Sequence, residues 1–292
     1  MTKYLITGAA GQLGQLVVAQ LAQTVPADAI IALVRRDSDQ AQFAELGVQT
    51  RLADYTDPVA LNAALEGVDR LLLISSNALG QRTAQHKNVI DAAVAQDVGF
   101  IAYTSLLRAD VSPMILAKEH LETETLLQSS GIQHSLLRNG WYSENLHMSL
   151  QTDLQMSQHF GAAGTGRFST ASRADYASAA AKVLSDPTHH GQTFELGGDS
   201  AYSLNDYANT LSTLTGQTIA YVDLPQAALL SALETAGLPP VIAEMLADSD
   251  RQAGNGWLET TSRDLSQLIG RPTEPYAQTL GTALARAEPI DA

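Results

Sequence analysis

Short apolar runs alternate with amphipathic stretches along the first half of the chain. This alternation is typical of a parallel sheet that is covered by helices on both faces. The predicted strands are Tyr4–Thr7, Ala29–Val34, Val48–Leu52, Arg70–Ile74, Phe100–Thr104 and Gln133–Leu137, and the predicted helices are Gln12–Gln23, Asp39–Leu46, Pro58–Leu65, Thr83–Gln96 and Pro113–Gln128.

Two of the predicted helices have clear start signals. Asp57 and Ser112 are favoured N-cap residues, and each is followed by a proline at the first helical position. Gly131 is expected to end the helix that begins at Pro113. Six strands and five helices in this half predict an α/β fold with a doubly wound parallel Rossmann sheet.

The second half has a less regular pattern. A glycine-rich loop at Gly161–Gly166 precedes an alanine-rich helix at Ala174–Leu184, a short strand at Thr193–Leu196 and a helix from Leu204. We expect residues 1–140 to form an NADP-binding Rossmann domain and residues 141–292 a smaller, mostly helical, substrate-binding lobe, with a cleft between them. Segments near 160–200 are candidates for returning to the first domain.

Composition narrows the class of protein. Hydrophobic residues make up 45% and charged residues 16% of the 292 residues, as in an ordinary globular protein. The chain has no cysteine, which excludes disulfides and thiolate sites and fits a reducing compartment. The N-terminus lacks the features of a signal peptide, and no apolar run approaches the roughly 20 residues that a bilayer span needs. We expect a soluble, cytoplasmic protein without a membrane span.

The net charge of −14 restricts the partners. Most of such a surface repels nucleic acid, so nucleic-acid binding is not expected. A phosphate-bearing ligand needs a locally basic site on this acidic protein, so the positions of the few arginines indicate where such a ligand could bind. Homo-oligomer formation is left open.

The strongest chemical signal is the segment Thr7–Gly14, with the spacing Gly-x-x-Gly-x-x-Gly between the first strand and the first helix. Glycines allow a tight turn and close approach of the backbone, and the helix N-terminus presents free N–H groups to a pyrophosphate. The spacing differs from the Gly-x-Gly-x-x-Gly of ordinary dehydrogenases. A plain strand–turn–helix is the structural alternative.

Arg35 and Arg36 directly follow the second predicted strand. NAD-specific folds tend to carry a carboxylate here, whereas an arginine suits the 2′-phosphate of NADP. We therefore predict NADPH as the cofactor, with NADH possible but weaker. Two solvated surface arginines are the alternative.

Several segments resemble the NmrA-like branch of the atypical short-chain dehydrogenases, and within it the bacterial NAD(P)H:quinone oxidoreductases, with triphenylmethane reductases nearby. The resemblance runs nearly end to end. Besides the glycine motif, it is carried by Ala53–Tyr55, Leu73–Ser76, Tyr103–Ser105, Leu137–Asn145, Thr170–Tyr176 and Glu195–Ser200.

The resemblance implies roles for individual residues. Arg35 would hold the 2′-phosphate, Asp54 would lie near the adenine, and Arg173 would have either a cofactor contact or a surface role. Asn139 and Tyr142 are expected to orient the substrate and the nicotinamide. The pyrophosphate would lie on Gly8, Ala9, Ala10, Gly11, Gln12 and Leu13, the nicotinamide ribose on Ile74, Ser75 and Ser76, and the nicotinamide end on Asn139, Gly140, Trp141, Tyr142, Ser143 and Glu144. Packing within the lobe is the alternative for Trp141 and Tyr142.

One departure from the short-chain dehydrogenases concerns the catalytic acid. These enzymes use a tyrosine with a lysine four residues later, but here Met114 precedes Lys118. Methionine cannot donate a proton, and Ser105 is either a remnant or a turn residue. A quinone needs less acid assistance than a ketone, because hydride addition leaves a delocalised aryloxide.

We therefore predict an NADPH-dependent oxidoreductase that transfers a hydride directly to a quinone or a similar conjugated electrophile. The rival interpretation is a non-catalytic, NADP(H)-sensing regulator of the NmrA-like type. A nucleotide-sugar epimerase is weaker, because it would need the Tyr/Lys pair. No histidine–carboxylate spacing predicts a metal site, and no Gly-x-Ser-x-Gly motif predicts a serine hydrolase.

Overall fold

The computed structural model describes residues 1–286, so residues 287–292 of the predicted lobe lie outside the described residues. Eleven strands lie within this range: β1 Tyr4–Ile6, β2 Ile30–Val34, β3 Gln49–Leu52, β4 Arg70–Leu73, β5 Phe100–Leu106, β6 Gln133–Asn139, β7 Gln158–Gly161, β8 Arg167–Phe168, β9 Thr193–Leu196, β10 Tyr202–Ser203 and β11 Ala220–Asp223.

Seven of these strands form one parallel sheet in the order β3-β2-β1-β4-β5-β6-β9. The order reverses direction at β1, as in a doubly wound fold, so the α/β Rossmann prediction is confirmed. The strand at Thr193–Leu196 extends this sheet beside β6. The chain therefore returns to the sheet after residue 140.

Helices cover both faces of the sheet. The helices of the described residues are α1 Gln12–Leu21, α2 Pro58–Ala64, α3 Arg82–Ala95, α4 Ile115–Ser130, α5 Ser143–Leu146, α6 Leu150–Met156, α7 Arg173–Ser185, α8 Leu204–Thr215, α9 Gln226–Thr235, α10 Pro240–Gly254, α11 Asp264–Ile269 and α12 Tyr276–Arg286. Of these, α1, α7 and α11 pack on one face of the sheet and α2, α3 and α4 on the other.

Alternate strand residues supply two separate cores. Tyr4 and Ile6 of β1 face a layer with α1, α7 and α11, whereas Leu5 faces a layer with α2, α3 and α4. Successive side chains of a strand point to opposite faces, so the short apolar runs fill both layers. A third core joins the later elements, where β7 pairs with β11 and β8 with β10. No helix within residues 1–286 has the length and apolarity needed to cross a bilayer.

Two local predictions were wrong. The segment Asp39–Leu46 forms two short 3₁₀ helices, Asp37–Asp39 and Ala41–Leu46, which bury only Phe43. Such a segment has too little apolar surface to anchor a regular α-helix.

The second error concerns the start of α4. Helix α4 begins at Ile115 and not at Pro113, because Met114 is extended (φ −59°, ψ 140°). The Ile115 N–H donates to a carboxylate oxygen of Asp248 at 2.8 Å, so a residue distant in sequence caps this helix. The starts and ends predicted at Asp57 and Gly131 are confirmed.

Candidate functional site

A cleft of about 510 Å³ lies at the carboxyl ends of β1, β2 and β4. Ligands of doubly wound sheets bind at such ends, next to the point where the strand order reverses. The lining residues from the sequence prediction are Gly8, Ala10, Gly11, Gln12, Leu13, Arg35, Asp54, Ile74, Ser75, Ser76, Tyr142 and Arg173.

The β1–α1 loop forms the floor of the cleft. Gly8 has φ +57°, and its carbonyl accepts a hydrogen bond from the Gly11 N–H at 2.9 Å. A Cβ atom on Gly14 would lie 2.3 Å from the Gly8 carbonyl oxygen, so the turn requires glycine at position 14. Gly11 is the N-cap of α1, which has no side-chain cap and no acidic residue in its first turn. The free N–H groups of this turn suit a bound anion.

The two adjacent arginines have different environments. Two nitrogens of Arg36, Nε and Nη2, donate to the two oxygens of the Asp39 carboxylate at 3.0 and 2.8 Å. Arg35 is exposed, lines the cleft and makes no side-chain hydrogen bond or ion pair to any of residues 1–286. Arg35 is therefore the arginine that is available to a ligand.

The end of β3 contributes Asp54 and Tyr55. One Asp54 carboxylate oxygen accepts hydrogen bonds from the hydroxyl and the N–H of Thr56, which lower the pKa of Asp54 and fix it as a carboxylate. The Tyr55 hydroxyl donates to the Ile74 carbonyl at 2.9 Å. Tyr55 lines the cleft and was not proposed from the sequence, although it lies in the Ala53–Tyr55 segment that carries the family resemblance.

The segment after β4 is held by buried side chains. The Ile74 N–H donates to Thr7 Oγ1 at 2.9 Å and the Ser75 N–H to Thr104 Oγ1 at 2.9 Å. The Ser76 N–H donates to Nε2 of His86, also at 2.9 Å. The backbone of residues 74–76 is thus rigidly placed along the cleft wall.

Tyr142, between β6 and α5, and Arg173, at the start of α7, also line the cleft. The Arg173 guanidinium lies 4.7 Å from the centre of the Tyr142 ring and donates to Asn145 Oδ1 at 2.7 Å. The Glu144 carboxylate accepts from the Arg173 N–H at 2.9 Å and so neutralises the N-terminus of α7. Asn139 Nδ2 donates to the Tyr142 hydroxyl at 3.2 Å. Burial raises the pKa of Tyr142, so this phenol is neutral.

Six predicted residues do not line the cleft: Ala9, Asn139, Gly140, Trp141, Ser143 and Glu144. Asn139 and Glu144 contact cleft residues from behind. Trp141 is 7% exposed and belongs to the apolar core of the later elements, so the structure does not bring its indole to the cleft. The neighbouring Tyr142 points the other way, which sequence adjacency could not reveal.

The residues at the short-chain dehydrogenase acid positions are not in the cleft. Met114 is buried in the third core and Lys118 is exposed on α4. The Ser105 hydroxyl donates to Glu124 at 2.5 Å, inside a buried ion-pair network with Arg138. Within the described residues, no group of histidines and carboxylates is arranged to hold a metal.

Comparison with known proteins fits this geometry. The sequence model of the NAD(P)H-binding family matches residues 8–187. The chain belongs to this family. It is 50% identical to quinone oxidoreductase 2 of Escherichia coli, over 94% of this chain and 96% of that protein.

Two solved structures are similar to this chain over nearly its whole length. The E. coli NADPH-dependent quinone oxidoreductase complexed with NADPH has a TM-score of 0.94 and 49% identity, over 96% of this chain and 99% of that one. The Citrobacter sp. triphenylmethane reductase complexed with NADP(H) has a TM-score of 0.92 and 33% identity, over 96% and 100%. The resemblance to quinone oxidoreductases with an NmrA-like fold is confirmed.

Proposed function

We propose that this protein is an NADPH-dependent oxidoreductase that passes a hydride directly to a quinone or a similar conjugated electrophile. The observation that carries the proposal is the 50% identity to quinone oxidoreductase 2 across nearly the whole chain. The cleft described above supports it, since its residue types suit a phosphorylated dinucleotide.

The cleft offers suitable groups to the two phosphate-bearing parts of NADPH. The uncapped N-terminus of α1 suits the pyrophosphate, and the close packing of Gly14 on Gly8 lets the loop approach it. The unpaired Arg35 suits the 2′-phosphate, because it can make charge-assisted hydrogen bonds without losing a protein partner. Bound NADPH supplies the hydride, and the protein supplies position and a dry environment.

The polar groups at the Tyr142 end orient the acceptor. Since the Tyr142 hydroxyl accepts a hydrogen bond from Asn139, its own proton can be donated into the cleft. Asn139 itself is 5% exposed and does not line the cleft, so it acts as a positioning residue through Tyr142. A quinone needs no strong acid at this point, which fits the buried Met114 and the distant Lys118.

Oxidation of NADPH, followed by its absorbance with and without 1,4-benzoquinone, tests the proposal. We expect rapid oxidation that requires both the protein and the quinone. Tight NADPH binding without any oxidation by benzoquinone or other quinones would instead favour the non-catalytic, NADP(H)-sensing regulator.

Further predictions belong with this proposal. We propose a cytoplasmic location, where NADPH is available as a reductant. We also propose that residues after 140 supply the substrate-binding lobe, apart from the β9 strand, which joins the sheet, and the α7 and α11 helices, which pack on it. The lack of nucleic-acid binding stays a prediction, and homo-oligomer formation stays open.

A further inference from the structure

Gln85, near the start of α3, lines the cleft and was not proposed from the sequence. Ser76 Oγ accepts from the Ala78 N–H at 3.1 Å, and its hydroxyl hydrogen is donated to Oε1 of Gln85. The amide nitrogen of Gln85, Nε2, donates to none of residues 1–286. Because Gln85 is only partly buried, this NH2 group is accessible to a ligand in the cleft.

The residue that orients Gln85 is itself held by α3. The Ser76 N–H donates to His86 Nε2 at 2.9 Å, and the Ser76 carbonyl accepts from Arg82 Nε at 2.7 Å. All three polar groups of Ser76 therefore have partners within the protein. At this point of the cleft wall, the NH2 of Gln85 is the polar group that a ligand can use.

The hydrogen bonds of His86 make this arrangement rigid. The Thr123 hydroxyl donates to the Glu119 carbonyl at 2.9 Å, so Thr123 Oγ1 accepts from His86 Nδ1, also at 2.9 Å. Nε2 of His86 then carries no hydrogen, as the bond from the Ser76 N–H requires. Burial lowers the pKa of His86 to about 3, so the imidazole is neutral near neutral pH. The Gln85 amide is thus held in place before a ligand binds.

The order of the strands decides which half of the dinucleotide Gln85 can meet. Arg35 follows β2 and Asp54 follows β3, and both strands lie on one side of β1. Ser76 follows β4 and Tyr142 follows β6, on the other side of β1. With the pyrophosphate at α1 and the 2′-phosphate at Arg35, the nicotinamide half extends toward β4 and β6. Gln85 contacts Ser76 and therefore lies on the nicotinamide side.

We propose that Gln85 is a specificity-determining residue, whose NH2 group donates a hydrogen bond to the carbonyl oxygen of a quinone bound beside the nicotinamide. The inference rests on the proposed function. The quinone takes the hydride with its electron pair as the C–H bond of NADPH breaks, so the quinone is reduced and NADPH is oxidised. The quinone oxygen gains the negative charge, and water then supplies the proton that completes the hydroquinone. Gln85 keeps both of its amide hydrogens throughout.

This assignment separates two classes of acceptor. A quinone oxygen becomes more negative along the reaction, so a fixed N–H donor binds the transition state better than the ground state. A triarylmethyl cation takes the hydride at its central carbon and becomes neutral, and no oxygen gains charge. The Gln85 amide should therefore speed the reduction of quinones and contribute nothing to the reduction of cationic dyes.

The first test compares both acceptors in single-turnover oxidation of bound NADPH. Gln85→Met keeps the length of the side chain and removes the amide. We expect the rate with 1,4-benzoquinone to fall at least about tenfold, and by less than the roughly 10²–10³-fold lost with an oxyanion-hole amide, because the charge of an aryloxide is delocalised. The rate with a triarylmethyl dye and the affinity for NADPH should be unchanged.

Two further variants sharpen this test. Gln85→Glu still accepts from the Ser76 hydroxyl but puts a negative charge where the NH2 was. It should slow quinone reduction more than Gln85→Met does and speed the reduction of the cationic dye, because like charges repel and opposite charges attract. Gln81→Met is the control, since Gln81 is exposed, makes no side-chain cap to α3 and does not line the cleft. It should change neither rate.

The second test uses binding in place of turnover. The probe is duroquinone, bound to the NADP⁺-saturated protein, and the measurement is the infrared stretching frequency of its carbonyl groups. A hydrogen bond to a carbonyl oxygen lowers this frequency. We expect one carbonyl band of bound duroquinone to lie at lower frequency in the wild type than in Gln85→Met.

Equal losses with both acceptors in Gln85→Met, or a parallel loss of NADPH affinity, would overturn the assignment, because the amide would then serve the cofactor. Carbonyl bands at the same frequency in both proteins, or failure of duroquinone to bind, would also overturn it. A wild type that binds NADPH but reduces no quinone would refute the proposed function instead. The spectrum of bound duroquinone would then still decide whether Gln85 donates to a carbonyl oxygen.

Discussion

Replacing Arg35 with alanine should weaken NADPH binding and leave NADH binding nearly unchanged. Arg35 is exposed and has no partner in the described residues, so its loss breaks no protein contact. Charge-assisted hydrogen bonds contribute about 1.5–3 kcal/mol, which corresponds to roughly 10- to 100-fold in affinity. Solvent exposure places the expected loss near the lower end of this range.

The neighbouring arginine offers a matched control. Arg36 is held by Asp39, and removing Arg36 alone would leave an uncompensated carboxylate near the cleft. The double variant Arg36→Ala/Asp39→Asn removes the ion pair as a unit and should change NADPH affinity less than about threefold. Dissociation constants for both cofactors are measured by fluorescence titration.

Salt gives an independent check on the Arg35 variant. The Debye length falls from about 10 Å at 0.1 M to about 3 Å at 1 M salt, so the wild-type preference for NADPH should shrink as salt is added. The alanine variant should show little such dependence. Equal losses for NADPH and NADH, or a larger effect in the Arg36/Asp39 double variant, would refute the role of Arg35.

Three further variants test the loop, the missing acid and the buried lobe. Gly14→Ala should lower the melting temperature and weaken NADPH binding, because its Cβ would collide with the Gly8 carbonyl oxygen. Such overpacking costs about 1–3 kcal/mol of stability. Gly281→Ala is the control, since a Cβ there would meet open space. Lys118→Ala should slow quinone reduction less than about tenfold, whereas loss of a true general acid costs about 10²–10⁴-fold. If the wild-type rate of quinone reduction depends on pH and this dependence disappears in Lys118→Ala, the lysine supplies a proton and the proposed direct hydride transfer without a protein acid is contradicted. Burial raises the pKa of Asp250 from 3.8 to about 6. The free energy of unfolding should therefore fall as the pH rises from about 4 to about 6, and the loss remains at higher pH, because the unfolded chain ionises this carboxyl more readily than the folded one. Asp250→Asn should therefore raise the melting temperature more at pH 8 than at pH 4, and an equal change at both would argue against this linkage.

Local signals in the sequence were enough for the sheet and the dinucleotide loop. Alternating apolar and amphipathic segments specify strands and helices, because a strand buried on both faces must be apolar at every position. The glycine spacing depends on contacts a few residues apart, such as Gly14 against Gly8. The cap at Asp57 and the left-handed Gly131 are equally local, and these features were predicted correctly.

Contacts between segments distant in sequence decided where α4 begins and which residues after β6 reach the cleft. Asp248 caps α4 from far along the chain, which moves its start to Ile115. Trp141 and Tyr142 are adjacent in sequence but face a core and the cleft, because the backbone between β6 and α5 turns their side chains apart.

Charge pairing also depended on tertiary structure. Of the buried arginines, Arg138 meets three carboxylates brought by different elements, whereas Arg82 meets none. The sequence by itself determined a loop and helix N-terminus that suit a pyrophosphate, because these are made within one strand–turn–helix. Which buried arginine side chain stays without a carboxylate partner is decided only by the folded chain, since pairing depends on which side chains the packing of α3, α4 and β6 brings within reach.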